Sequence, residues 1–375
     1  MADMKRRRIL TGASVAALLS CSSGVLAREP DLKPVSVARG LDHPWGLAFL
    51  SDGRMLVTER PGRMRIVERD GRLGAPLAGL PAVAASGQGG LLDVVLHPKF
   101  ADNRLVYWSY SEPGDGGAGT AVARGRLDGA RLADVQVVFR QVPKVSGGNH
   151  FGSRLVFARD GRLFVTLGDR FHRKDDAQTL DNHLGKIVRI EDDGRVPADN
   201  PFVARAGARP EIWSYGHRNV QGAALHPVTG ELWTTEHGPQ GGDELNVPAA
   251  GANHGWPVVT YGRNYGTGTR IGDATERADV APPLRHWVPV SVAPSGLAFL
   301  TSDRYGAGWK GQLFMGTLRA EKLVRLELDG RRVVGEHALL GDRRARIRDV
   351  RQGPDGWLYV LTDNEDGQIW RLERP

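Results

Sequence analysis

The chain has 375 residues, 41% hydrophobic and 25% charged, with a formal net charge of +7. This is ordinary globular composition, and beyond the N-terminus no Lys/Arg run is interleaved with aromatics, which excludes a nucleic-acid-binding reading. A single cysteine, Cys21, excludes a disulfide framework and cysteine-ligated metals.

The first 27 residues read as an export signal. Lys5 to Arg8 form a basic segment, and Ile9 to Leu19 form an apolar stretch too short to span a bilayer. Val25-Leu26-Ala27 then offers a small-residue cleavage site. Residues 28–375 are therefore expected as one mature, periplasmic domain with no integral membrane span. Arg6-Arg7-Arg8 loosely matches a twin-arginine signal, and Leu18-Leu19-Ser20-Cys21 loosely matches a lipoprotein box that would acylate Cys21. Leu19 fits that box poorly, so simple export is preferred. Residues 1–27 carry +3, which leaves the mature part near +4.

From Trp45 onward one phrase recurs: an apolar strand, a turn, and a second apolar strand. It starts near Trp45, Leu91, Arg154, Gln221, Ser295 and Arg348. Asp52-Gly53, Asp160-Gly161 and Asp355-Gly356 are hairpin signals between apolar runs. Each of the six copies has room for four short strands. The pattern predicts an all-β, six-bladed β-propeller with four-stranded antiparallel blades. Val35 to Ala38 is read as the outer strand of the last blade, closing the ring. The functional place of such a ring is the channel mouth, where loops of every blade meet.

The loops beside the copies carry the chemistry. Gln88, in Gly87-Gln88-Gly89-Gly90, is a neutral donor and acceptor in what is otherwise a turn. His150, in Gly147-Gly148-Asn149-His150-Phe151-Gly152, is a candidate general base, its alternative being a packed or solvated histidine. Asp169, after the second strand of the same copy, would orient that imidazole. Arg218, in Tyr215-Gly216-His217-Arg218-Asn219, suits a planar oxyanion or a surface ion pair. Glu236 to Glu244 contains three Gly, one Pro and three acids. Its backbone must turn and free its carbonyls for a hard cation such as calcium, or simply for solvent. Alternation puts Arg346 and Arg348 on one face of an extended segment, fit for a polyanion. Arg319 follows the second strand of the fifth copy and is placed to join them. No nucleophile elbow or P-loop is present.

Six motifs in order carry a resemblance. They are Gly87-Gln88-Gly89-Gly90-Leu91-Leu92-Asp93, His150-Phe151-Gly152-Ser153-Arg154-Leu155, Gly216-His217-Arg218-Asn219, Glu236-His237-Gly238-Pro239 with Gly241-Gly242-Asp243-Glu244, Asn253-His254-Gly255-Trp256-Pro257, and Arg346-Ile347-Arg348-Asp349-Val350. From about Leu41 to the C-terminus the chain resembles the soluble aldose sugar dehydrogenases that use pyrroloquinoline quinone (PQQ). The resemblance implies PQQ across the channel mouth, an aldose substrate and an external electron acceptor. It also implies His150 as catalytic base with Asp169 as partner, and Gln88 and Arg218 at quinone and substrate. Asn219, Tyr265, Arg319, Arg346 and Arg348 would contact the cofactor. The carbonyls of Gly238 and Pro239 would hold a catalytic Ca2+, and Glu244 with the carbonyl of His254 a structural one. Members often have lysine where Arg319 stands, and usually tyrosine where His254 stands. A monomer or a homodimer is compatible with the family. Two other readings share the fold: a calcium-dependent propeller lactonase, and a non-catalytic binding module.

Overall fold

The computed structural model describes residues 32–375. The expected export segment 1–27, with Cys21, lies outside the described residues. Six four-stranded sheets account for the architecture, and every strand pairing within them is antiparallel. The first strands of the six blades are Pro44–Phe49, Leu91–Leu96, Leu155–Phe157, Val220–Leu225, Pro294–Phe299 and Ile347–Gln352. These are the starts of the six sequence repeats, and consecutive ones touch around the ring, the last against the first.

Five of the six second strands, among them Met55–Glu59 and Leu358–Thr362, are buried along their whole length, and the sixth, Leu105–Gly114, is buried in its middle. A blade is sandwiched between two neighbours, so both faces of its inner strands must be apolar. That is why these segments read as unbroken hydrophobic runs rather than alternating ones. The outer strands Arg131–Arg140 and Arg332–Leu339 cover one face only and alternate accordingly. Clusters between blades, such as Leu56, Leu91, Val94 and Trp108, or Tyr107, Val122, Leu155 and Val188, supply the apolar burial that holds the ring.

Closure follows the expectation. Lys33–Leu41 pairs with Gly367–Glu373, so the first strand in sequence is the outermost strand of the last blade. Ring closure leaves no sheet edge at the seam. First strands crowd at the centre, and Gly296 permits it: a Cβ there would lie 2.5 Å from the Cα of Asp349 on the next blade. Helix is confined, among the described residues, to Phe100–Asn103 and three short 3-10 turns. None is long and apolar enough to cross a membrane.

Candidate active site

Topology gathers the candidate loops. In an antiparallel pair, the start of a blade's first strand and the end of its second lie at the same end of the sheet. His150, Arg218 and Arg346 precede first strands; Glu59, Asp169, Glu236, Arg319 and Asp363 end or follow second strands. All therefore face one mouth of the ring, while the Asp-Gly turns face the other.

His150 is 5% exposed and its backbone is left-handed, with φ 54°. For a non-glycine residue this is a strained conformation of the kind that surroundings must enforce. Its N–H donates to Gln88 Oε1 at 2.9 Å, and its Cβ packs against Gly168, where a Cβ would lie 2.2 Å from the His150 carbonyl oxygen. Arg170, stacked on Phe151, donates to the carbonyls of Asn149 and Gly147 and so braces the same loop. The His150 Nδ1 lies 2.6 Å from Asp169 Oδ1. Asp169 is fully buried and also accepts from the Phe171 N–H at 2.7 Å and from Trp256 Nε1 at 2.7 Å. With Nδ1–H donated to the carboxylate, Nε2 is left as the proton acceptor. Burial, reinforced by the charge of Arg218, lowers the His150 pKa below its ordinary 6.5 despite Asp169. Burial opposes the Asp169 charge, but the bond from His150 and the nearby cations keep its pKa below the usual value.

Arg218 is 4% exposed rather than a surface ion pair. Its guanidinium donates to the carbonyls of His237 (2.9 Å) and Gly238 (2.5 Å), lies 5.2 Å from the Trp256 ring centre, and sits 3.5 Å from the Tyr265 hydroxyl. Tyr265 itself is 55% exposed at the rim. Asn219 accepts from the Gly152 N–H, and Gln221 bridges onward, within 3.4 Å of Asn219 and accepting from Arg348 at 3.0 Å. Arg346 and Arg348 do share a face: both reach Asp363, at 3.2 and 2.6 Å, and His43 meets the same carboxylate at 3.0 Å. Burial works against the Asp363 charge, yet Arg348, His43 and Arg346 hold its pKa far below the carboxylate range. Arg319 is exposed on the same mouth; Arg346 donates to the neighbouring Leu318 carbonyl.

The Gly/Pro stretch is a tight turn, although Glu236 ends the preceding strand Leu232–Glu236 and Asp243 and Glu244 begin the next, Asp243–Asn246. Asp243 accepts from the Gly238 N–H and from the Val292 and Ala293 N–H groups, fixing the turn against residues 291–293. Pro239 is buried against Gly262. Burial, then the neighbouring carboxylate of Glu236, raises the Glu244 pKa. His254 stacks on His217 with ring centres 4.6 Å apart, and neither of its buried nitrogens has a hydrogen-bond partner. Among the described residues no three His, Cys, Asp or Glu side chains gather as a metal cage; calcium sites of the expected kind draw instead on backbone carbonyls.

Sequence reasoning missed three residues here: Trp256, which binds Asp169; Gln221, which joins Asn219 to Arg348; and Asp363, which gathers the arginines. For Asp363 a signal existed. Thr58-Glu59, Thr235-Glu236 and Thr362-Asp363 repeat one acid at the same station of three blades.

A family model described as glucose/sorbosone dehydrogenase matches residues 41–371. The aldose sugar dehydrogenase YliI of Escherichia coli is 48% identical over 94% of this chain and 96% of its own. The solved soluble aldose sugar dehydrogenase of Escherichia coli, in its apo form, superposes with a TM-score of 0.89 at 47% identity, covering 92% of this chain and all of that one. The PQQ-bound aldose sugar dehydrogenase of Streptomyces coelicolor superposes with a TM-score of 0.74 at 31% identity, covering 92% and 99%.

Proposed function

The chain belongs to the glucose/sorbosone dehydrogenase family, and we propose that it oxidises aldose sugars at C1 to lactones, with PQQ as resident cofactor, calcium beside it, and electrons leaving to an external acceptor. The observation that carries this reading is the buried His150–Asp169 pair, whose free Nε2 is set among cationic donors.

The donor set suits a quinone bearing three carboxylates. Arg346 and Arg348 converge on the mouth with Arg319 beside them, and Asn219 Nδ2 and Arg348 Nε are buried without a partner. Charge-assisted bonds to carboxylates would use such donors. The Gly238 carbonyl is already turned to a cation, the Arg218 guanidinium, which suits a calcium position formed with Pro239. Glu244, buried beside the carboxylate of Glu236 and bonded by the Asn246 amide, suits a second calcium with the His254 carbonyl. When bound, PQQ supplies the hydride acceptor and calcium the Lewis acid that polarises its carbonyl.

The protein's own part is binding and proton transfer. His150 Nε2 takes the proton of the anomeric hydroxyl, and Asp169 stabilises the imidazolium that forms. Arg218 and Gln88 orient the sugar oxygens, and Phe171, edge-on to His150 at 5.3 Å, shields the ring from water. Export of residues 28–375 to the periplasm belongs to the same reading, as monomer or homodimer.

The test is dye reduction by the cofactor-free protein with an aldose, under no addition, calcium, PQQ, or both. Turnover should need PQQ, be strongest with calcium, and fall on chelation. No turnover across a panel of aldoses would overturn the reading. A pH profile adds a second expectation. Only neutral imidazole accepts a proton, and His150 titrates below 6.5. Activity should therefore hold as pH falls to about 6.5 and be lost only below it; an acid limb above pH 7 would remove His150 from the role.

A further inference from the structure

The Asn253-His254-Gly255-Trp256-Pro257 motif contains a tryptophan that no role above explains. Trp256 is 7% exposed and makes two contacts that meet nowhere else in the site. Its Nε1–H donates to Asp169 Oδ2 at 2.7 Å, the oxygen that His150 does not use. Its ring lies 5.2 Å under the Arg218 guanidinium. The indole is itself held by the backbone on both sides: the Trp256 N–H donates to the Gly216 carbonyl, and its carbonyl accepts from Gln178 Nε2 at 2.7 Å. Gln178 and Asn253 in turn exchange hydrogen bonds through their side-chain amides.

We propose that Trp256 is a positioning residue for the reaction: its indole N–H fixes the Asp169 carboxylate, and its ring face seats Arg218, so that one side chain sets both the base pair and the substrate cation. This rests on His150 being the base. A carboxylate with one oxygen bound to indole cannot turn, so the His150 ring is held in one plane and one tautomer. The same bond withdraws negative charge from the oxygen that faces His150. The charged and titratable groups that bear on His150 are Asp169, Arg170 and Arg218, with His237 nearby. Of these, Arg218 is the one that Trp256 also holds. Losing the indole therefore acts twice in one direction. Asp169 binds the imidazolium more strongly, and Arg218 is less fixed against it. Both changes raise the pH at which His150 takes a proton.

The experiment compares wild type, Trp256→Phe and Trp256→His. Phe keeps a ring but donates nothing; His keeps a ring N–H. In cofactor-free protein, the His150 Nδ1 proton should give a far-downfield NMR signal, shifted or lost in Trp256→Phe and nearer wild type in Trp256→His. In loaded enzyme, Trp256→Phe should lower kcat by about tenfold to a hundredfold and move the acid limb of kcat/KM to higher pH. A Phe variant with a wild-type NMR signal and an unmoved acid limb would overturn the proposal, even if kcat fell. If no preparation oxidises any sugar, the proposed activity fails, while a changed proton signal still upholds Trp256 as the residue that holds the dyad. Should Trp256→Phe not fold, the His variant decides: a signal and limb close to wild type support the proposal, and loss of both overturns it.

Discussion

Replacing His150 by alanine is expected to lower kcat on the order of 10²–10⁴-fold while leaving PQQ affinity nearly unchanged. The argument is one of inventory and position. Arg218 is a cation, Asp169 has both oxygens engaged, and Gln88 Oε1 already accepts from the His150 backbone. Nε2 of His150 is the remaining acceptor suited to take a proton. The groups expected to hold the cofactor carboxylates sit around Asp363 and do not depend on the imidazole. Alanine brings a complication, because position 150 is left-handed with φ 54°. Asparagine adopts that conformation far more readily and cannot act as a base at neutral pH. His150→Asn should therefore lose kcat to a similar extent while melting closer to wild type. Titration of PQQ into each variant, followed by steady-state kinetics with an aldose, separates binding from turnover. Retention of most of the wild-type kcat by either variant would remove His150 from the role of base.

How much of this was legible depends on whether a feature is local or convergent. The ring was legible because each blade repeats the same hairpin, and Asp160-Gly161 between Val156-Phe157 and Leu163-Phe164 is a turn on local grounds alone. The closing strand was legible as an apolar segment in need of an edge, and the seam supplied one. The shared face of Arg346 and Arg348 followed from strand alternation. Trp256 was visible within a motif but without a role, because its acceptor lies 87 residues away in another blade. Gln221 looked like a repeat residue for the same reason. Nothing local distinguishes a glutamine that bridges Asn219 to Arg348 from one facing solvent. The charges inside the innermost strands carried a signal that went unread. A polar side chain on a strand otherwise fully buried must point into the channel, and there it needs partners.

Arg154 is the clearest such charge, and removing it should have the largest effect on stability. The residue is 1% exposed at the centre of the ring. It pairs with Asp349 at 3.0 Å and Asp93 at 3.3 Å, carboxylates from two other blades, and Arg351 completes the square at 2.7 and 2.9 Å. Its remaining donors go to the carbonyls of Gln221 and Arg348, and Trp45 packs 4.0 Å from the guanidinium. Arg154→Met keeps similar bulk but leaves two buried carboxylates to share one guanidinium. Breaking a buried pair on one side typically costs about 3–5 kcal/mol, which in a domain of this size is a fall of roughly 4–7 °C in Tm. Adding Asp349→Asn to Arg154→Met should recover part of the loss, because Asp93 and Arg351 are then left as one matched pair. Calorimetry of the three proteins at pH 7 checks this, and a Tm change under about 2 °C for Arg154→Met would contradict it. The effect should also reach the mouth. Arg154 holds the backbone carbonyl of Arg348, the residue whose side chain meets Asp363 and Gln221, so the central ion pairs fix the register of the strand that presents Arg348, the arginine proposed to contact the cofactor. PQQ affinity should therefore weaken in Arg154→Met, although Arg154 itself lies below the mouth.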